Sequence, residues 1–142
     1  MSRREVRLER TSSGNYRATS PDGVSVEVGQ DEGVMSPVEL LLAALGACSA
    51  IDVDTVMSRR GEPDSFEVLV AGEKVTDETG GVRMSELSVD FRLDYGQGEA
   101  GQQAERLVPR LVRASHEKDC TVSRTIELGT PVTMTVDGRP TD

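Results

Sequence analysis

The chain has 142 residues, a length that suits one domain over 1–142, and its 36% apolar and 29% charged residues make a globular composition. A net charge of −9 and 3% aromatic residues leave neither a basic field nor stacking platforms, which argues against nucleic acid and against anionic membrane surfaces as partners. The longest apolar run, Leu40 to Ala47, is short of the ~20 residues of a membrane span, and the opening "MSRREVRLER" lacks the apolar core of a signal peptide. The expectation is a cytoplasmic protein, whose two cysteines are free or redox-active.

The first third reads as strands. Residues 4–9 alternate through Val6 and Leu8, and a turn at Thr11–Asn15 leads to Tyr16–Ser20. "PDG" at 21–23 is a turn signal. Val24, Val26 and Val28 then alternate with polar residues as a half-buried strand, and "GQDEG" at 29–33 is a loop.

A helix start follows. Ser36 suits the N-cap and Pro37 the first helical position, and Glu39, three residues after Ser36, completes the capping-box pattern. The helix is predicted from Pro37 to about Arg59, ending at Gly61 and Pro63. Leu41, Leu45, Cys48 and Asp52 share one face, while Leu42, Ala43, Ala44 and Ala47 fill the others. A helix apolar all round is expected to be central and buried.

Phe66, Val68 and Val70 alternate, as do Leu87, Val89, Phe91 and Leu93, with "TDETGG" at 76–81 as the hairpin loop between them. "YGQGEAGQ" opens a second helix, roughly 100–118, with Ala104, Leu107, Leu111 and Ala114 on one stripe. Pro109 is expected to kink it, or to break it and start a fresh helix there. Cys120 lies just past its end. Ile126 and Leu128, then Val132, Met134 and Val136, read as one interrupted strand or two short ones. The order β-β-β-α-β-β-α-β is an α+β fold, with two helices on one face of an antiparallel sheet.

Cys48 and Cys120 are the chemistry-bearing pair. From the local sequence, Cys48 is open to three readings: a small core residue, half of a disulfide, or a nucleophile. A thiolate attacks an O–O bond far better than a thiol, and the sulfenic acid formed condenses with a nearby thiol. His116 lies four residues before Cys120, but Cys48, Cys120 and His116 lack the paired spacing of zinc sites, so neither a metal nor another cofactor is expected.

"SPVELLLAALGAC" and "HEKDCTVSRT" together resemble the OsmC/Ohr family of hydroperoxide-reducing and related proteins, over about residues 6–136. "CSAID" after the first cysteine resembles one branch of OsmC-like proteins. The resemblance implies an intertwined homodimer with the central helices packed together at its interface. It also implies that Cys48 attacks a hydroperoxide, that Cys120 resolves the sulfenic acid as a disulfide, and that a dithiol reduces the enzyme. The family's peroxidases activate the first cysteine with an arginine and a glutamate, and Val38 stands in the glutamate slot. Cys48 lies about three turns into its helix, beyond the reach of the dipole, so a nearby cation is expected to tune it. Arg17, His116, Arg124 and Arg59 are the candidates, with Asp52 positioned to hold one of them. Two other readings of the same chain are a non-catalytic protein holding a small apolar or thiol ligand at the dimer interface, and a redox sensor.

Overall fold

The computed structural model describes residues 1–141. The chain divides into two compact units, Met1–Ala44 and Leu45 onward.

In the first unit, β1 (Arg7–Ser12), β2 (Asn15–Thr19) and β3 (Ser25–Gly29) form an antiparallel meander in that order. β1 therefore lies a few residues later than the predicted 4–9. Arg17 stands opposite Glu27, and Tyr16 opposite Val28. The "PDG" turn closes as expected: Ser20 N–H donates to Val24 O at 2.8 Å, and Gly23 takes a φ of 87° that favours glycine. The buried Asn15 amide donates to Asp31 at 2.8 Å and pins the following loop. Of the alternating valines only Val28 is buried, while Val24 and Val26 are exposed. Leu8, Tyr16, Val28, Leu40 and Leu41 line an apolar cavity of about 690 Å³ in this unit.

Helix α1 (Pro37–Met57) begins in the first unit and continues into the second. Its predicted capping box is closed: Glu39 N–H donates to Ser36 Oγ at 3.1 Å, and Ser36 N–H donates to Glu39 Oε1 at 3.0 Å. The all-round burial expected of it is not observed. Leu41, Ala43, Ala44, Ala47 and Ile51 are exposed. Leu45, Ser49, Val53 and Met57 recur every four residues and form the buried face, with Gly46 beside them. That face excludes Cys48 and Asp52, which are half-buried beside it. By length and composition α1 would also suit a membrane span. Asp52 and Asp54 within it, and the core-facing ladder, are the pattern of a core helix.

In the second unit, β4 (Ser65–Thr76) and β5 (Val82–Asp94) form one long hairpin. Their burial alternates residue by residue, as the sequence period requires. Asp77 closes the loop, accepting from Thr79 N–H at 2.9 Å and Gly81 N–H at 3.2 Å. The register shifts between Ala71 and Glu73, opposite Glu86, whose φ is 54°. Val53, Met57, Ala104 and Val108 form the core of this unit, with Phe66, Phe91 and Leu93 packed against it. Phe66 and Phe91 meet edge to face at 6.3 Å. α1 and α2 thus share the hairpin's apolar side.

Three expectations about the C-terminal third are corrected: a fresh helix at Pro109, Ala114 on the buried stripe, and a strand at Ile126 and Leu128. α2 runs as one helix from Glu99 to Ala114 with the exposed Pro109 inside it, so no new helix starts there. The buried stripe passes through Ala104, Val108 and Ser115, and Ala114 is exposed. The helix then widens into a π turn, Ser115–Asp119. Residues predicted as strand around Ile126 and Leu128 form a helix instead, α3 (Thr121–Leu128). Val122 and Ile126 are four apart on its packed side, Cys120 caps its start, and Gly129 ends it at φ 66°. The tail retains only a two-residue hairpin, β6 (Thr135–Val136) and β7 (Arg139–Pro140).

Candidate active site

Both cysteines lie in the second unit. Cys48 is half-buried on α1, and Cys120 is 0% exposed between the π turn and α3. Both are free thiols, near enough in space for each to shift the other's ionisation. Cys120 occupies the N-cap of α3, a slot usually held by Ser, Thr, Asp or Asn. Its Sγ accepts from Ser123 N–H at 3.4 Å. The Ser49 hydroxyl, on the buried ladder of α1, donates to the same sulfur at 3.4 Å. The Cys120 N–H donates to Ser115 O at 2.7 Å, and the Ser115 hydroxyl donates to Asp52 Oδ2 at 2.6 Å.

These surroundings split the two thiols. Burial pushes Cys48 up, and the adjoining Cys120 adds to the rise. The Val122 and Thr121 N–H groups, in the first turn of α3, pull it down without cancelling the rise. Burial works against the ionised form of Cys120 as well. There the donors from Ser123, Ser49 and Cys48 outweigh it, and the thiol ends below its ordinary value. The surroundings thus favour ionisation of the deeper sulfur over that of Cys48, and interacting thiols titrate as a pair.

The cations expected to tune Cys48 are engaged elsewhere. Arg17 belongs to the first unit, where its Nε donates to Glu27 at 2.8 Å. The Arg124 guanidinium donates to Glu117 O at 2.6 Å. His116 Nε2 lies 3.4 Å from Glu127. Arg59 is exposed in the turn after α1. Asp52 binds a hydroxyl where a cation was expected. The groups acting on Cys48 are burial, Cys120 and backbone N–H groups at a helix start, which favour a thiolate as a cation would.

Ser49, Ser115 and Ser123 were not singled out from the sequence. "CTVSRTIELG" carries the missed signal: a polarizable cap residue, an apolar pair four apart and a terminal glycine. A cavity of about 280 Å³ borders the donors to Cys120: Ser49 and Ser123 form part of its wall, with Leu45, Phe91, Val112 and Ile126 and the polar His116 and Glu127, while neither cysteine lines it. Chemically, the site holds two interacting thiols and, next to the donors of one of them, a largely apolar space.

Residues 29–135 match the family described as OsmC-like protein. An uncharacterized protein of Mycobacterium tuberculosis is 36% identical over 132 residues, covering 91% of this chain and 93% of the relative. A hypothetical protein from Aquifex aeolicus superposes with a TM-score of 0.68 at 24% identity, covering 92% of this chain and 91% of the other. The organic hydroperoxide resistance protein OhrB of Bacillus subtilis superposes with a TM-score of 0.60 at 19% identity, covering 90% of this chain and 93% of the other. These last two likenesses are of fold.

Proposed function

Because this chain belongs to the OsmC family, we propose that it reduces organic hydroperoxides by cysteine chemistry, with Cys48 as the attacking sulfur and Cys120 as the resolving one. The observation that carries the reading is the pair of free, mutually interacting thiols, Cys48 and Cys120. The fold neighbour from B. subtilis, whose name is organic hydroperoxide resistance protein, points to the same substrate class.

The chemistry balances on the pair. The Cys48 S–H loses its proton to solvent. The Cys48 sulfur attacks the outer oxygen of R–O–OH. The O–O bond breaks, the alkoxide leaves and is protonated to the alcohol, and Cys48 becomes a sulfenic acid. The Cys120 sulfur then attacks the Cys48 sulfur, the S–S bond forms, and hydroxide leaves as water. A dithiol reductant returns both thiols. Cys48 is the attacker because it is the more exposed sulfur. The Val122 and Thr121 N–H groups at the start of α3 pull it toward thiolate, the part that the arginine and glutamate play in the family's peroxidases. The protein works as a cytoplasmic homodimer joined through the uncovered apolar residues of its first unit and of α1.

The test is consumption of cumene hydroperoxide by the reduced protein with dithiothreitol, beside Cys48→Ser and Cys120→Ser. The expected result is turnover in the wild type, none in Cys48→Ser, and a single sulfenic acid trapped in Cys120→Ser. Equal consumption by wild type and Cys48→Ser overturns the assignment.

One observation favours a second reading. The Cys48 thiol is pushed up, which suits a slow redox sensor whose Cys48–Cys120 disulfide forms stoichiometrically. A disulfide that forms with peroxide, but without catalytic turnover in excess dithiol, selects this reading.

A further inference from the structure

The Asp52 carboxylate and the Ser115 hydroxyl tie two segments that lie 63 residues apart in sequence, at 2.6 Å. Ser115 is 1% exposed, so this bond is made in a dry environment and its loss leaves a buried polar group behind. The same residue's carbonyl accepts the Cys120 N–H at 2.7 Å. That bond spans five residues and closes the π turn. A π turn holds one residue more than an α turn. Here it releases Cys120 from the helix into an extended conformation, φ −73° and ψ 101°, from which its sulfur caps α3. Ser115 is therefore the residue whose carbonyl fixes the Cys120 backbone. Asp52, which holds it, lies one turn beyond Cys48 on α1. The third contact on this face is the hydroxyl of Ser49, on the Cys120 sulfur itself.

We propose that Asp52 is a positioning residue for Cys120, acting through Ser115 to hold the deeper sulfur in line with Cys48. This rests on the disulfide chemistry proposed above. Asp52 touches neither sulfur. Its function is geometric, because closing a disulfide demands a sulfur separation near 2.05 Å and a narrow dihedral range, and small misplacements of reacting atoms are costly. The sequence marks the residue only as an acid in a mostly apolar helix.

The experiment measures the rate at which diamide closes the Cys48–Cys120 disulfide in the reduced full-length protein. Variants are Asp52→Ala, Asp52→Asn, Ser115→Ala and the double Asp52→Ala/Ser115→Ala. Val53→Ala, the neighbouring core position, is the control for stability. Asp52→Ala should slow closure about tenfold, the worth of one hydrogen bond to a charged group. Ser115→Ala should match it, and the double variant should be no slower than either single. Asp52→Asn keeps an acceptor oxygen and should stay within about threefold of wild type. Val53→Ala should lower the Tm and leave closure unchanged. Closure at the wild-type rate in folded Asp52→Ala, or additive losses in the double variant, overturns the proposal. If Asp52→Ala does not fold, Ser115→Ala decides, since it removes the same bond from the other end. A wild type that closes its disulfide but turns over no peroxide overturns the peroxidase reading alone.

Discussion

Ser49 donates its hydroxyl hydrogen to the Cys120 sulfur at 3.4 Å, across 71 residues of sequence. It stands next to Cys48 on α1, so one helix presents one member of the dithiol and a donor to the other. Ser49→Ala removes that donor from a buried sulfur. The Cys120 thiol should then rise toward its ordinary value, and stability should fall by about 1 kcal/mol. The pH profile of Cys120 alkylation, read by mass spectrometry of the labelled peptide, checks the first. Urea unfolding checks the second. An unchanged alkylation profile would remove Ser49 from the site.

Gly46 is where α1 meets β4. A Cβ placed there would come within 2.5 Å of Val70 Cγ2. Val70 is β-branched and stiff at χ1, so it yields little. Helix propensity favours alanine over glycine by about 1 kcal/mol, but overpacking a filled contact costs about 1–3 kcal/mol. Gly46→Ala should therefore be destabilising by thermal unfolding. A raised Tm would mean that the helix and the hairpin separate freely at this point.

The capping box at Ser36 and Glu39 gives α1 a pH-sensitive start. The Ser36 N–H and hydroxyl hold the Glu39 carboxyl below its usual value. A depressed carboxylate contributes stability above its unfolded pKa and loses it as pH falls through the folded one. Ser36→Ala should cost about 1 kcal/mol at neutral pH. Glu39→Gln should cost less there, because glutamine still closes the box, and its unfolding free energy should decline less steeply in acid. A loss of peroxidase activity in Glu39→Gln with stability intact would give Glu39 a role beyond the cap.

The exposed Val6, Leu8, Val26, Val38 and Leu41 are the residues on which the proposed homodimer depends. Sedimentation at micromolar concentration should give twice the chain mass, and Leu41→Asp should shift the mass toward the monomer. A monomeric wild type would leave these residues unexplained and remove the assembly from the functional proposal.

What could be read from the sequence depended on whether a pattern was local. The β4–β5 hairpin alternates over many residues, and its loop carries Asp and Gly, so period and turn chemistry agree. The start of α1 was legible because Ser36, Pro37 and Glu39 each mark it. Its burial was not, because an all-round apolar helix does not say which neighbours cover it. α3 was missed because Ile126 and Leu128 alternate over too short a span to separate strand from helix, and its cap is a cysteine rather than an oxygen side chain. The same miss hid part of the tuning of Cys48. The sequence offers His116 and Arg124 as candidate cations; within the chain their side chains contact Glu127 and the Glu117 carbonyl, and the N–H groups that lower Cys48 belong to the backbone of α3, which no residue type announces. Asp52 was legible as an oddity, an acid in an apolar helix, while its hydroxyl partner depends on the π turn.

The dithiol itself makes the sharpest prediction, because its members influence one another. In the wild type, burial raises Cys48, and the charge on Cys120 raises it further. Cys120→Ser removes that neighbouring charge and leaves the Val122 and Thr121 N–H groups in place. Cys48 should therefore become more acidic when its partner is lost, whereas a cysteine activated by its partner as a cation would become less so. In Cys48→Ala the reverse holds, since Cys120 loses one of its donors and should rise. The stability linkage has the matching signs. Cys120, depressed in the fold, stabilises above its unfolded pKa, and that contribution is lost as pH falls through the folded value. Cys48, raised in the fold, stabilises below its unfolded pKa, and that contribution is lost as pH climbs through the folded value. Reduced wild type should thus be most stable where one proton remains on the pair. Ultraviolet thiolate absorbance against pH, for wild type, Cys120→Ser and Cys48→Ala, measures all three titrations. A Cys48 that titrates higher in Cys120→Ser than in wild type would show that Cys120 assists ionisation of Cys48 rather than opposing it, and would overturn the coupling described here.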